Sequence, residues 1–129
     1  MNLYQTQYAI FEHESKIQRI VLEGINAWNK EHDQAVIEQL PLTTIPLIRY
    51  AVEDWVNEYD HLVDRRPDTS FAEYVKEQAG ELIFHFRWSL THKAETHFRH
   101  AHGELWRTLN KDEQNAFLHG LRYLIKEVR

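Results

Sequence analysis

The chain has 129 residues, 43% of them hydrophobic and 27% charged, with a net charge of -5 and no cysteine. That length suits one domain with one core, and the composition argues against disorder. The missing cysteines exclude disulfides, thiolate metal sites and cysteine nucleophiles, while the acidic balance disfavours wholesale binding of nucleic acid.

No apolar run approaches the roughly 18 residues of a membrane span, and residues 1–11 lack the basic-then-apolar layout of a secretory signal. The expected location is cytoplasmic, with no membrane association. The charge is unevenly distributed: residues 1–64 carry eleven acidic against four basic side chains, and residues 65–129 carry nine against eleven. The front half is therefore the acidic one.

Taken in chain order, Leu3, Ile10, Ile17, Val21, Gly24 and Trp28 recur at helical spacing and predict one long helix. Ser15 with Gln18 has a capping-box pattern, so a helix starting near Lys16 after an extended residue 3–11 segment is the alternative. Asp33 is a candidate cap for a short turn that Pro41 ends, because proline pushes its predecessor out of the helical region. Thr44 then starts the next helix, with Pro46 tolerated in its first turn. On it Ile48, Val52, Trp55, Tyr59 and Leu62 step by four and three, drawing an apolar stripe.

Residues 63–70, with Asp64-Arg65-Arg66-Pro67-Asp68, predict a loop and the best hinge candidate. Ser70 with Glu73 is a capping box, and Phe71, Tyr74, Val75, Ala79, Leu82, Ile83 and Phe86 continue it as a helix. A further stripe follows in Ala94, Phe98, Ala101, Leu105 and Leu109. Asn110 with Glu113 caps a last helix whose inner face is Phe117, Leu121, Leu124 and Val128. Gly24 and Gly120 mark close contacts between helices.

The fold these elements predict is all-α: one domain over residues 1–129, a compact bundle of four to six helices. One stretch opposes it. Phe84-His85-Phe86-Arg87-Trp88-Ser89-Leu90 alternates apolar and polar at period two, a strand signature. A lone strand needs a partner, so the alternative is a small α+β arrangement with strands near 3–11 and 82–90.

Four constellations could carry chemistry. Five of the nine histidines, His85, His92, His97, His100 and His102, fall within eighteen residues. His97, His100 and Glu104 are spaced to share one helical face, a two-histidine, one-carboxylate set that suits zinc or iron. Glu58-Tyr59-Asp60-His61 is a single copy of the Glu-x-x-His spacing that di-iron bundles use twice. Arg87 and His92 resemble the arginine and histidine that ribonucleases of the all-helical HEPN class present at similar separation, where they would hold phosphate and move a proton. In an unbroken helix those two side chains would point about 140° apart. Arg87, Lys93, Arg99 and Arg107, interleaved with Trp88, Phe98 and Trp106, could contact a phosphate backbone or stack on bases.

The expected function is a non-enzymatic protein-binding module, a small inhibitor, immunity-type or adaptor protein without a cofactor. Its acidic helical surface, carried by Glu53, Asp54, Glu58, Asp60 and Asp64, would face a basic protein partner. The rivals are a metal- or histidine-dependent hydrolase working through His92, His97, His100 and Glu104, a HEPN-like ribonuclease, and a nucleic-acid-binding helical protein.

Overall fold

In the computed structural model, the structure describes residues 14–33, 44–63, 68–91 and 97–128, the side chains of 14, 15, 63 and 97–101 excepted. Six helices run through these residues: α1 (Glu14–Glu31), α2 (Thr44–Val63), α3 (Phe71–Glu77), α4 (Ala79–Thr91), α5 (His97–Arg107) and α6 (Lys111–Glu127). No strand occurs among the described residues. The all-α expectation holds, and no helix there is long and apolar enough to cross a membrane.

The strand alternative at 82–90 is overturned, because α4 is helical throughout that stretch. Leu82, Ile83, Phe86, Ser89 and Leu90 face the core at helical spacing. The apparent alternation arises because Phe84 and Trp88 lie on the opposite, outward side, 64% and 47% exposed. Residues 3–11, the other half of that alternative, lie outside the described residues.

Helix α1 buries Ile17, Val21, Ile25 and Trp28 and packs chiefly along α6. It begins one residue before Ser15, which therefore sits inside the helix instead of capping it. Asp33 is a second correction. Its φ of 49° is left-handed, and its N–H donates to the Lys30 carbonyl, so it closes α1 where an N-cap would need extended backbone. The turn expected beyond it, through Leu40, lies outside the described residues.

Helix α2 starts at Thr44 with Pro46 in its first turn. Its apolar stripe is wider than the spacing indicates: besides Ile48, Val52, Trp55 and Tyr59, it buries Leu47, Tyr50, Ala51 and Val56. A helix buried on most of its circumference is a central one, and α2 meets α3, α4 and α5.

At α3 the Ser70 hydroxyl accepts from the Glu73 N–H at 3.1 Å. The single helix expected over 71–86 is broken at Gln78, whose φ of -102° and ψ of 18° end α3 and turn the chain into α4. Residues 64–67 of the expected hinge lie outside the described residues. The Asn110 capping box of α6 is complete, with the Asn110 side chain accepting from Glu113 N–H at 2.8 Å and the Glu113 carboxylate accepting from Asn110 N–H at 2.9 Å. Phe117, Leu121, Leu124 and Val128 are all buried as the spacing requires.

An aromatic cluster ties the core together. The Phe86 ring lies 5.8 Å from Tyr50, 5.6 Å from Trp106 and 6.1 Å from Phe117, joining four helices at one point. Beside it the Tyr50 hydroxyl bonds the Ser89 hydroxyl at 2.8 Å, and Ser89 donates onward to the Phe86 carbonyl. Two polar side chains are thereby accommodated in the α2–α4 contact.

Candidate functional site

Asp54 and Glu58 are one turn apart on α2, and so project to the same side of it. That side meets α4, where His85 Nδ1 donates to Asp54 Oδ2 at 2.9 Å. Ligating atoms of Asp54, Glu58 and His85 all lie within 4.8 Å of one another, and all three side chains are half-buried. No other such group of three occurs among the described residues. Tyr74 of α3 stands against the same carboxylates: burial first, then the charges of Glu58 and Asp54, raise its phenol above the ordinary 10.0. Three helices therefore bring Asp54, Glu58, His85 and Tyr74 together.

On the helical wheel His85 falls between the buried face of α4, with Leu82, Phe86 and Ser89, and an exposed face with Gly80, Glu81, Phe84, Arg87, Trp88 and Thr91. The exposed face carries the two exposed large hydrophobic side chains among the described residues, Phe84 and Trp88, four residues apart and hence neighbours. Because His85 reaches Asp54, the acidic side of α2 borders this aromatic face.

The residues singled out from sequence distribute unevenly. Glu53, Asp54 and Glu58 are half-buried, Asp60 is exposed, and Asp64 lies outside the described residues. Arg87 is exposed on α4, which stays helical as far as Thr91, while His92 and Lys93 lie outside the described residues. His97 and His100 are on α5 but their side chains, like those of Arg99 and Phe98, are not among those described. Glu104, the carboxylate of that expected set, is exposed and accepts from Arg107 at 2.6 Å. His102 stacks on Tyr50 with ring centroids 4.9 Å apart. Trp106 is fully buried and cannot stack on a nucleic-acid base, which removes one of the three aromatics from the nucleic-acid surface.

His85 is the member that spacing did not single out for this cluster. Its partner lies 31 residues away, and helical periodicity says which side of a helix is polar but not which polar sides meet. For Phe84 and Trp88 a local signal did exist, namely two aromatics on the face opposite Leu82, Phe86 and Leu90.

In comparison with known proteins, no family model matches the chain, and neither a curated protein nor a solved structure shows detectable similarity to it.

Proposed function

We propose that the chain is a non-enzymatic protein-binding module that receives a basic, apolar-faced partner on the outward side of α4. The observation that carries this is the pair Phe84 and Trp88, 64% and 47% exposed and one turn apart. Two large aromatics exposed to this extent forgo part of the burial that a folded chain ordinarily takes, and tryptophan is among the residues that most often dominate binding energy. Acidic side chains lie near them: Glu81 on α4 itself, with Asp54 and Glu58 beside His85, whereas Glu53 and Asp60 are elsewhere on α2. Arg87 is the basic side chain on the exposed face of α4. Acidic side chains outnumber Arg87 there, and an acidic balance favours a basic partner and speeds its approach.

The test is affinity capture from the native host, identification of what co-purifies, and titration of that protein in recombinant form. Trp88→Ala should weaken the complex by about thirtyfold, the equivalent of about 2 kcal/mol for a central aromatic. Lysine at Glu53, Asp54, Glu58 and Asp60 should slow association at low salt and lessen its salt dependence. A complex unaffected by either set of changes would exclude this face as the binding surface.

A further inference from the structure

We propose that Asp54, Glu58 and His85 form a binding site for one divalent transition-metal ion. The site is a different one from the His97, His100 and Glu104 set, and it does not depend on the protein-binding role of the neighbouring aromatic face.

Four features carry the inference. The donors come from two separate helices, α2 and α4, so their separation is fixed by core packing on both sides instead of by one mobile segment. Their chemistry is mixed: one imidazole nitrogen favours zinc, iron, cobalt or nickel, and two carboxylates add the charge that a divalent ion needs. Their spacing also fits. One ligand atom from each of Asp54, Glu58 and His85 lies within 4.8 Å of the other two, within reach of a single ion, and the 2.9 Å hydrogen bond between His85 Nδ1 and Asp54 Oδ2 would be exchanged for bonds to that ion.

The fourth feature is electrostatic. Two carboxylates at i and i+4 repel each other in a helix, and here both point toward a contact between helices, where water screens them less than at an open surface. Among the described residues His85 bonds one of them, and the buried Tyr74 ring contributes no positive charge. An ion between Asp54, Glu58 and His85 relieves that repulsion. On binding, the imidazole proton resides on Nε2, leaving Nδ1 as the ligand, and Glu58 closes the third position from one turn along α2. Water fills the remaining positions, since His85 is still 39% exposed at its side chain.

Co²⁺ is the probe, because it accepts the same imidazole and carboxylate donors as zinc and iron without redox change under ordinary conditions. Calorimetric titration of the tag-free full chain should give one equivalent bound with a dissociation constant below about 100 µM. Glu58→Gln and His85→Gln should each weaken binding by at least about tenfold, since loss of even an outer-shell partner costs that much. The double variant His97→Gln/His100→Gln should leave the affinity unchanged. Both single substitutions are at half-buried positions, and circular dichroism of each variant verifies that the helices persist. Absence of binding at millimolar Co²⁺, or affinity unaltered in Glu58→Gln and His85→Gln, would each overturn the proposal. None of these results depends on whether Phe84 and Trp88 receive a partner.

Discussion

Gly24 of α1 and Gly120 of α6 meet backbone to backbone: a Cβ placed on Gly24 would lie 2.6 Å from the Gly120 Cα, and one on Gly120 would lie 2.6 Å from the Val21 carbonyl oxygen. No side chain can swing aside to make room, so the two helices must separate to admit a methyl group. Gly24→Ala and Gly120→Ala should each destabilise the fold by about 1–3 kcal/mol, overpacking outweighing the roughly 1 kcal/mol that alanine gains in helix propensity. Gly80 supplies the contrast, because a Cβ there meets nothing within 4 Å and its φ is not positive. Gly80→Ala should stabilise by about 0.5–1 kcal/mol, and urea unfolding of the three variants checks both signs.

Phe86 and Phe84 are two residues apart on one helix, and their burial separates stability from binding. Phe86 is fully buried among Tyr50, Trp106 and Phe117, so Phe86→Ala should cost about 3–5 kcal/mol in unfolding free energy. Phe84 is 64% exposed, and Phe84→Ala should change stability by no more than about 0.5 kcal/mol. A large stability loss in the Phe84 variant would mean that this ring serves the fold and is not available to a partner.

The contrast also shows what a sequence of this kind makes legible. Asn110 with Glu113 and the Ile48, Val52, Trp55 and Tyr59 stripe act within a few residues, and both were readable from spacing. The close approach at Gly24 and Gly120 was readable too, because only a missing side chain permits it. At 84–90 two periods competed. The outward aromatics mimicked a strand, and packing of Leu82, Phe86 and Leu90 decided for the helix. Nothing local announced the break at Gln78, which is no strong helix breaker. The Asp54 and His85 contact was not readable either, because it depends on how α2 and α4 are rotated against each other.

Tyr74 gives an optical handle on that contact. Its phenol is raised above 10.0 by burial and then by Glu58 and Asp54, so the folded state disfavours the tyrosinate. The stability this represents is complete below pH 10.0 and is lost as pH rises from there toward the folded value. Tyrosinate absorbance followed against pH should show Tyr74 as the component missing in Tyr74→Phe. Glu58→Gln removes the larger of the two charges, and that component should then ionise at lower pH while staying above 10.0, since burial, the leading cause, persists. An unshifted titration in Glu58→Gln would place the Glu58 carboxylate away from Tyr74 and from the cluster.

The opposite sign applies to His119, on α6. Burial lowers its pKa below 6.5, Arg122, Lys126 and His32 push it the same way, and Glu31 of α1 opposes them. Folding therefore favours the neutral imidazole, and the unfolded chain takes up the proton first as pH falls. The stability tied to His119 is complete above 6.5 and is lost as pH drops through the window between 6.5 and the lower folded value. Urea unfolding at about pH 7.5 and about pH 5 should show a smaller acid loss in His119→Gln than in the parent chain. Glu31→Gln removes the one charge that favours the imidazolium, so it should enlarge the loss by lowering the folded pKa further. Equal acid sensitivity in the parent and His119→Gln chains would assign the titration to other histidines, and an unchanged Glu31→Gln chain would remove Glu31 as the counter-charge at the α1–α6 contact.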